Sequence, residues 1–306
     1  KYENAIKMFT KAKELQPDHQ NSYYNLALIK KEQGQSEEAI KLLFKVLDLN
    51  PEHGEAKSLA KRICNELGTN LHNEGKYKAA LKYFKIFTLL EPNEYSGFYN
   101  IGNSYLELKD FQNAKTNYKI ALKFEQKNEQ IHANLGEAYR NIGKIEKALK
   151  CYNKAIRINP ENPNNLYNKA VLLREEGQIR ESESIYREVI KLDPEHINSY
   201  HNLALISQER GQIEEGLNLA KKVLKFEKNH PKINQLISIA SLQLGHFREG
   251  WKYNKFRWKV SPGKDLNWPI QGKPLWKGER GKHVAVWREQ GIGDQIIFLS
   301  LLLEVK

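Results

Sequence analysis

Small, aromatic and turn-forming positions recur along this chain at one fixed step. Pro17 and Pro51 lie 34 residues apart, as do Pro160 and Pro194. The small residues Ala114, Ala148, Ser182, Gly216 and Gly250 keep the same step, and so do Ala5 and Ala39. Gly143, Gly177, Gly211 and Gly245 form a third series at 34. A fixed period of this length marks a stack of short supersecondary units. One unit runs His132-Ala-Asn-Leu-Gly-Glu-Ala-Tyr139, then Gly143, Ile145, Ala148, Tyr152, Ala155 and Pro160. It predicts two helices. Gly136 and Ala148 let them approach closely, and Tyr139 and Tyr152 fill the space between neighbouring units. Gly143 supplies a left-handed turn after the first helix, and Pro160 stops the second. No unit buries its apolar face alone, so stacking is obligatory.

These residue types at this period resemble the tetratricopeptide repeat family. The resemblance implies an all-α superhelix of helical hairpins, an α-solenoid, over residues 1–259. Residues 1–17 hold only a second helix. Full hairpins follow at about 20–51, 54–92, 95–126, 129–160, 163–194, 197–228 and 231–259. Two units are irregular. Pro51 to Pro92 is 41 residues, and the excess falls in Gly54–Ile63, which reads either as a helical extension or as a longer loop. An extension would change the pitch of the superhelix locally. The unit at 95–126 has Lys109 and Gln126 where the turn Gly and the closing Pro should stand, which predicts the same hairpin with a less sharply defined end.

The family resemblance also implies a concave face lined by the first helices. Two positions before the small residue of each first helix stand Asn25, Glu66, Asn100, Asn134, Asn168, Asn202 and Leu236. The preceding position holds Tyr24, Asn65, Tyr99, Ala133, Tyr167, His201 and Gln235. An asparagine carries an acceptor and donors and can grip a backbone amide by two bonds. A regular row suits an extended peptide, whose amides also repeat. The row resembles the superhelix of the O-linked N-acetylglucosamine transferases. The competing reading is that Asn is simply common at this position of the repeat. The candidate groove residues are Asn25, Asn100, Asn134, Asn168, Asn202, Tyr24, Tyr99 and Tyr167.

Past Lys259 the pattern changes. Residues 260–281 are punctuated by Pro and Gly and read as a linker. Trp268 and Trp276 are read there as packing on a domain surface or as exposed anchors. His283-Val-Ala-Val-Trp287 is β-prone, the turn Arg288–Asp294 contains Gly291 and Gly293, and an apolar helix start follows from Gln295. Strand, glycine turn and helix open a Rossmann-like domain over 282–306. The full dinucleotide fingerprint is absent, because Ile296 occupies the third glycine position. Together with Trp251 to Trp258, Pro-Leu-Trp-Lys-Gly-Glu and Glu-Gln-Gly-Ile-Gly-Asp, this resembles bacterial tetratricopeptide glycosyltransferase-like proteins with a heptosyltransferase-like domain. That resemblance implies a nucleotide-sugar donor in the full-length protein, bound partly at Gly291 and Gly293, and Asp294 as the base on the acceptor hydroxyl. From its residues alone, Asp294 also reads as a helix N-cap, and the two roles are compatible.

Composition narrows the alternatives. A 40% hydrophobic and 28% charged chain of 306 residues is a folded protein rather than a disordered one. The net charge is +12. Residues 251–306 carry 11 Lys and Arg against 5 Asp and Glu, and the remainder carries 38 against 32. The repeat region is thus nearly balanced, so no nucleic-acid partner is expected. The longest apolar stretch, Ile296 to Leu303, is too short for a membrane span. Cys64 and Cys151 lie in separate units without pairing logic, which favours a reducing, cytoplasmic setting. The histidines read as scattered helix-surface residues, His132 and His201 among them, with no metal-ligand spacing. The chain opens at Lys1, inside a repeat, and stops inside an apolar segment, so it is expected to be a fragment of a longer protein. No cofactor is expected in this fragment, and by itself it is expected to be inactive. The functional expectation is a scaffold for a protein or extended peptide, recruiting the acceptor for a glycosyltransferase-like domain. The alternative is a non-enzymatic scaffold for complex assembly.

Overall fold

The computed structural model of the chain describes residues 2–254. Fifteen α-helices account for nearly all of them. A lone helix, α1 (Glu3–Leu15), precedes seven hairpins. These are α2 (Gln20–Glu32) with α3 (Ser36–Leu49), α4 (Gly54–Asn73) with α5 (Tyr77–Leu90), and α6 (Tyr95–Glu107) with α7 (Phe111–Phe124). Next come α8 (Glu129–Asn141) with α9 (Ile145–Ile158), and α10 (Pro163–Glu175) with α11 (Ile179–Leu192). The last are α12 (Ile197–Glu209) with α13 (Ile213–Val223), and α14 (Pro231–Gln243) with α15 (Phe247–Asn254).

Each first helix packs on its own second helix and on the second helix of the preceding hairpin. The first helices α4 and α6, α6 and α8, α8 and α10, and α12 and α14 also touch one another, whereas successive second helices make no comparable contact. A stack whose elements meet on one side only must curve toward that side. The first helices therefore line the inner, concave face of the array.

The close approach within hairpins has a visible cause. Gly68, Gly102 and Gly136 each lie under an aromatic ring of the second helix, Phe84, Tyr118 and Tyr152 respectively. A Cβ on any of them would come within 2.5 to 2.7 Å of that ring. Ala39, Ala80, Ala114, Ala148 and Ser182 on the second helices are all fully buried at the crossing. The Ser182 hydroxyl donates to the Ala170 carbonyl at 2.8 Å, so even the polar member of the series is satisfied.

Every first helix ends in the same two-bond turn. In the hairpin of α8 and α9, the Gly143 amide donates to Arg140 and the Lys144 amide to Tyr139. These are the paired bonds of a Schellman motif, which needs a left-handed residue. Gly34, Gly75, Gly143, Gly177, Gly211 and Gly245 fill that place with φ between 71° and 75°. In the remaining turn Lys109 takes it, at φ 59°.

The expected looseness of that hairpin is corrected here. Lys109 donates to Leu106 and Asp110 to Tyr105, both at 2.9 Å, as in the glycine turns. After α7, the Glu125 carboxylate accepts from the Lys127 amide, as Asn50 and Asp193 accept two residues on at the equivalent ends. Backbone and side-chain bonds thus define the hairpin without glycine or proline. Lys109 still carries the steric cost of a left-handed side-chain residue, about 1–2 kcal/mol. Glycine there would relieve it, less its own entropy in the unfolded chain. Lys109→Gly is expected to raise stability by roughly 0.5–1 kcal/mol, read as an upward shift of the urea midpoint. A fall would mean that the Lys109 side chain supports the turn.

The extra residues at Gly54–Ile63 form helix, not loop. α4 has 20 residues where the other first helices have 13, a difference of about two turns. Its added part is held by apolar contact. Ala56, Leu59, Ala60, Ile63 and Cys64 are buried in one cluster with Leu43 and Val46 of α3 and Tyr83, Phe87 and Leu90 of α5. Lys61 of the same stretch reaches Glu91 at 3.7 Å and Glu94 at 3.2 Å.

Candidate functional site

The candidate asparagines and tyrosines all lie half-exposed on first helices. Asn25, Asn100, Asn134, Asn168 and Asn202 precede Leu26, Ile101, Leu135, Lys169 and Leu203, of which only Lys169 is not buried. Helical geometry then turns the asparagine toward the inner face while its neighbour enters the core.

The row is knitted across hairpins. The Asn134 amide donates to the Tyr99 hydroxyl at 3.3 Å and the Asn202 amide to the Tyr167 hydroxyl at 3.4 Å. Asn100 donates to the Asn65 side-chain oxygen Oδ1 at 3.4 Å. All three steps are 35 residues, from one position of a unit to the next position of the following unit. Asn25 differs, since its amide returns to the Asn21 carbonyl in its own helix. Among the described residues, Asn168 makes no side-chain hydrogen bond and keeps both donor and acceptor. Part of the row is therefore occupied in holding neighbouring units in register. Its remaining capacity faces the inner side.

Deeper in the same face stand tyrosines of the second helices. Tyr118 is fully buried and donates to the Asn103 side-chain oxygen Oδ1 at 2.7 Å, and Asn134 donates to the same oxygen at 3.0 Å. One unit on, Glu137 occupies the position of Asn103 beside Tyr152. Burial raises the Glu137 carboxyl above the ordinary range. Arg140 opposes the shift and Glu107 adds to it. A further unit on, Val171 occupies that position, and among the described residues the Tyr186 hydroxyl makes no hydrogen bond.

An arginine–glutamate ladder runs beside this row. Arg140 on α8 pairs with Glu175 on α10 at 2.8 Å, and Arg174 on α10 pairs with Glu209 on α12 at 2.7 Å. Arg174 also donates to the Asn202 side-chain oxygen Oδ1 at 3.0 Å. Both arginines are 34 residues apart and so are both glutamates, a spacing present in the sequence. With half-exposed partners, each pair adds on the order of 0–1 kcal/mol. Their clearer effect is to fix the spacing of successive first helices and to neutralise the inner face.

The histidines are not scattered, and His132 is not a surface residue. His19, His53, His196 and His230 share one position of the unit, the N-cap of the first helix. Nδ1 of His53, His196 and His230 accepts from an amide three residues on, at 3.2 to 3.3 Å. Asn128 and Asn162 perform the same task in the intervening units. His132 is buried, and its Nε2 meets the Gln126 carbonyl at 3.0 Å. Tyr23 and Asn234, at the equivalent place, also reach back six residues, to Pro17 and Lys228. His201 alone of these faces the inner side. Burial, with Lys232, His230 and Arg174 nearby, depresses it to about 4, so it stands neutral at ordinary pH.

Neither cysteine is activated. Burial pushes the Cys64 thiol up to about 12 and Cys151 up to about 11, so neither provides a thiolate near neutral pH. No cluster of metal-ligating side chains occurs among the described residues. No helix among them is long and apolar enough to cross a membrane. The candidates Gly291, Gly293 and Asp294, the linker and the strand–turn–helix over 282–306 lie outside the described residues.

Comparison with known proteins agrees with this architecture. Tetratricopeptide repeat models match residues 1–63, 130–162, 151–184 and 185–218, and a TPR repeat model matches 102–143. Together they span more than half of the chain. No curated protein matches it in sequence. Solved structures share the fold. PilF of Pseudomonas aeruginosa is similar with a TM-score of 0.59 at 12% identity, over 68% of this chain and 94% of that one. PilW, a type IV pilus biogenesis factor, gives 0.58 at 16% identity, over 67% and 95%. A thermophilic TPR protein of Thermus thermophilus, TTC0263, gives 0.50 at 21%, over 60% and 99%. With seven stacked hairpins, a left-handed turn in each and family models along most of the array, the chain belongs to the tetratricopeptide repeat family.

Proposed function

We propose that the array is a binding scaffold that holds an extended polypeptide along the inner face of its first helices. The observation that carries this reading is the recurring row of amide and phenol groups at one position of successive units. Within it Asn168 keeps an uncommitted amide, and paired Arg and Glu leave the face without strong net charge. Each hydrogen bond contributes only about 0.5–1.5 kcal/mol net, so affinity comes from repetition. Peptide backbone, which repeats as the helices do, is the ligand that can use such a row.

Asn168→Ala combined with Asn134→Ala tests the row. Loss of two bonds is expected to weaken binding of a fluorescent 15-residue peptide, selected from a random library on the wild-type chain, by roughly tenfold. The two positions should separate in stability. Asn134→Ala also removes ties to Tyr99 and Asn103 and should lower the urea midpoint, whereas Asn168→Ala should leave it unchanged. Unaltered affinity in the folded double variant would refute the role of the row.

We further propose that the array serves a sugar-transfer domain, placing the acceptor polypeptide for it. Support comes from the sequence motif Glu289-Gln-Gly-Ile-Gly-Asp294 and its tryptophan-rich approach. In this reading Gly291 and Gly293 shape the donor-side turn and Asp294 deprotonates the acceptor hydroxyl. Calorimetric titration of the whole gene product with nucleotide sugars should give saturable binding that Asp294→Ala retains while transfer is lost. No binding of any nucleotide sugar would leave the alternative, a non-enzymatic scaffold for complex assembly.

A further inference from the structure

One cleft of the inner face is built differently from its neighbours. It has a volume of about 340 Å³ and is lined by Tyr167, Val171, Arg174, Glu175, Tyr186 and Asn202. Tyr186 is fully buried, and among the described residues its hydroxyl makes no hydrogen bond. A buried, unpaired hydroxyl is costly, so the usual expectation is a partner. The cause of the exception is visible in the repeat. Tyr118 occupies the same place two units earlier and donates to Asn103. At the position of Asn103 the Tyr186 unit has Val171, which accepts nothing.

We infer that this cleft is a side-chain subsite of the groove and that it takes a carboxamide, the side chain of a glutamine or asparagine in the bound peptide. The inference rests on the groove reading above and assigns it a specificity. The Tyr186 hydroxyl donates to the amide oxygen of the guest. The Glu175 carboxylate accepts from its NH2 group. One Glu175 oxygen is held by Arg140 at 2.8 Å and the other is uncommitted among the described residues. Val171 packs on the methylene stem.

Other guests fit less well. A carboxylate would lie beside Glu175. An ammonium would lie beside Arg174, whose charge is matched by Glu209 and not by the cleft. An aliphatic guest would offer the Tyr186 hydroxyl no acceptor. Sites built to hydrogen-bond a guest reject analogues lacking the group, because their own polar atoms are left unpaired.

Four pools of 15-residue peptides test the assignment on the purified chain by fluorescence anisotropy. Their central residue is fixed as Gln, Glu, Lys or Leu, and all other positions are drawn from Ala, Ser, Thr and Gly. The Gln pool should bind about tenfold more tightly than the other three, the factor expected for one buried bond to a paired group. Val171→Asn gives Tyr186 the internal acceptor that Asn103 gives Tyr118, and should erase the preference while general binding remains. Tyr186→Phe, which removes an unpaired hydroxyl and should not lower the thermal midpoint, should erase it too. Equal binding of all pools, or a preference that survives both variants, overturns the subsite and leaves the groove standing. Failure of every pool to bind removes the groove reading, and the subsite with it.

Discussion

Tyr152→Ala should cost the array about 3–5 kcal/mol, the range for truncating a buried aromatic. Tyr152 is 1% exposed. Its ring lies over Gly136 and in one cluster with Ala148 and Leu172, with Tyr139, Ile145 and Leu149 packed around it. It therefore belongs to two contacts at once, the crossing of α8 with α9 and the junction of that hairpin with α10. Collapse of the neighbours cannot fill the space, because Gly136 offers no side chain. In a repeat array the stability is a sum of unit terms and nearest-neighbour terms. The loss should thus be local as well as large. Hydrogen exchange should show α8 to α11 losing protection while α2 to α5 keep theirs. A uniform loss along the chain would show that the array folds as one cooperative block and not as coupled neighbours.

Gly216→Leu is expected to destabilise by about 1–3 kcal/mol through overpacking. A Cβ at Gly216 would stand 2.9 Å from the Ala204 carbonyl oxygen and 3.2 Å from the Gln208 side chain. The first of these is backbone and cannot rotate away, so α12 and α13 would have to separate. Helix propensity acts in the opposite direction, since leucine is better than glycine in a helix interior by a little under about 1 kcal/mol. A fall in the urea midpoint would therefore report the crossing distance alone. Gly216→Ala should lose much less, because the propensity gain offsets one methyl group's intrusion. A leucine variant as stable as the wild type would mean that the helices are not held at this separation.

These two residues show what was legible in the sequence. The period of 34, the small residues at crossings and the glycine turns follow from backbone sterics, which leave a direct mark on residue type. Hairpin boundaries and the long α4 were legible for the same reason, although spacing alone could not separate helix from loop at Gly54–Ile63. Lys109 was not readable, because the left-handed turn there is imposed by bonds to Leu106 and Tyr105 and not by the residue itself. The histidines are opaque for a different reason. Their spacing matches no metal site, and His19, His53, His196 and His230 are explained by one unit position, the N-cap, that Asn also fills.

The candidate face was legible in its residues but not in its bonds. Asn134 and Asn202 mark the row, yet their amides reach tyrosines 35 residues earlier, across a junction that no single unit displays. The Arg140–Glu175 and Arg174–Glu209 pairs were hidden likewise, because charged residues at helical spacing are also what a solvated surface requires. Only stacking distinguishes the two.

Photo-crosslinking addresses the central claim, that the inner face of the first helices is the binding surface. A benzoylphenylalanine placed at Asn168 on α10, or at the exposed Lys150 on α9, would be irradiated with biotinylated 15-residue peptides selected on the wild-type chain. Crosslinks from position 168 and none above background from position 150 are predicted. Crosslinking from position 150 alone, or equally from both, would contradict the account.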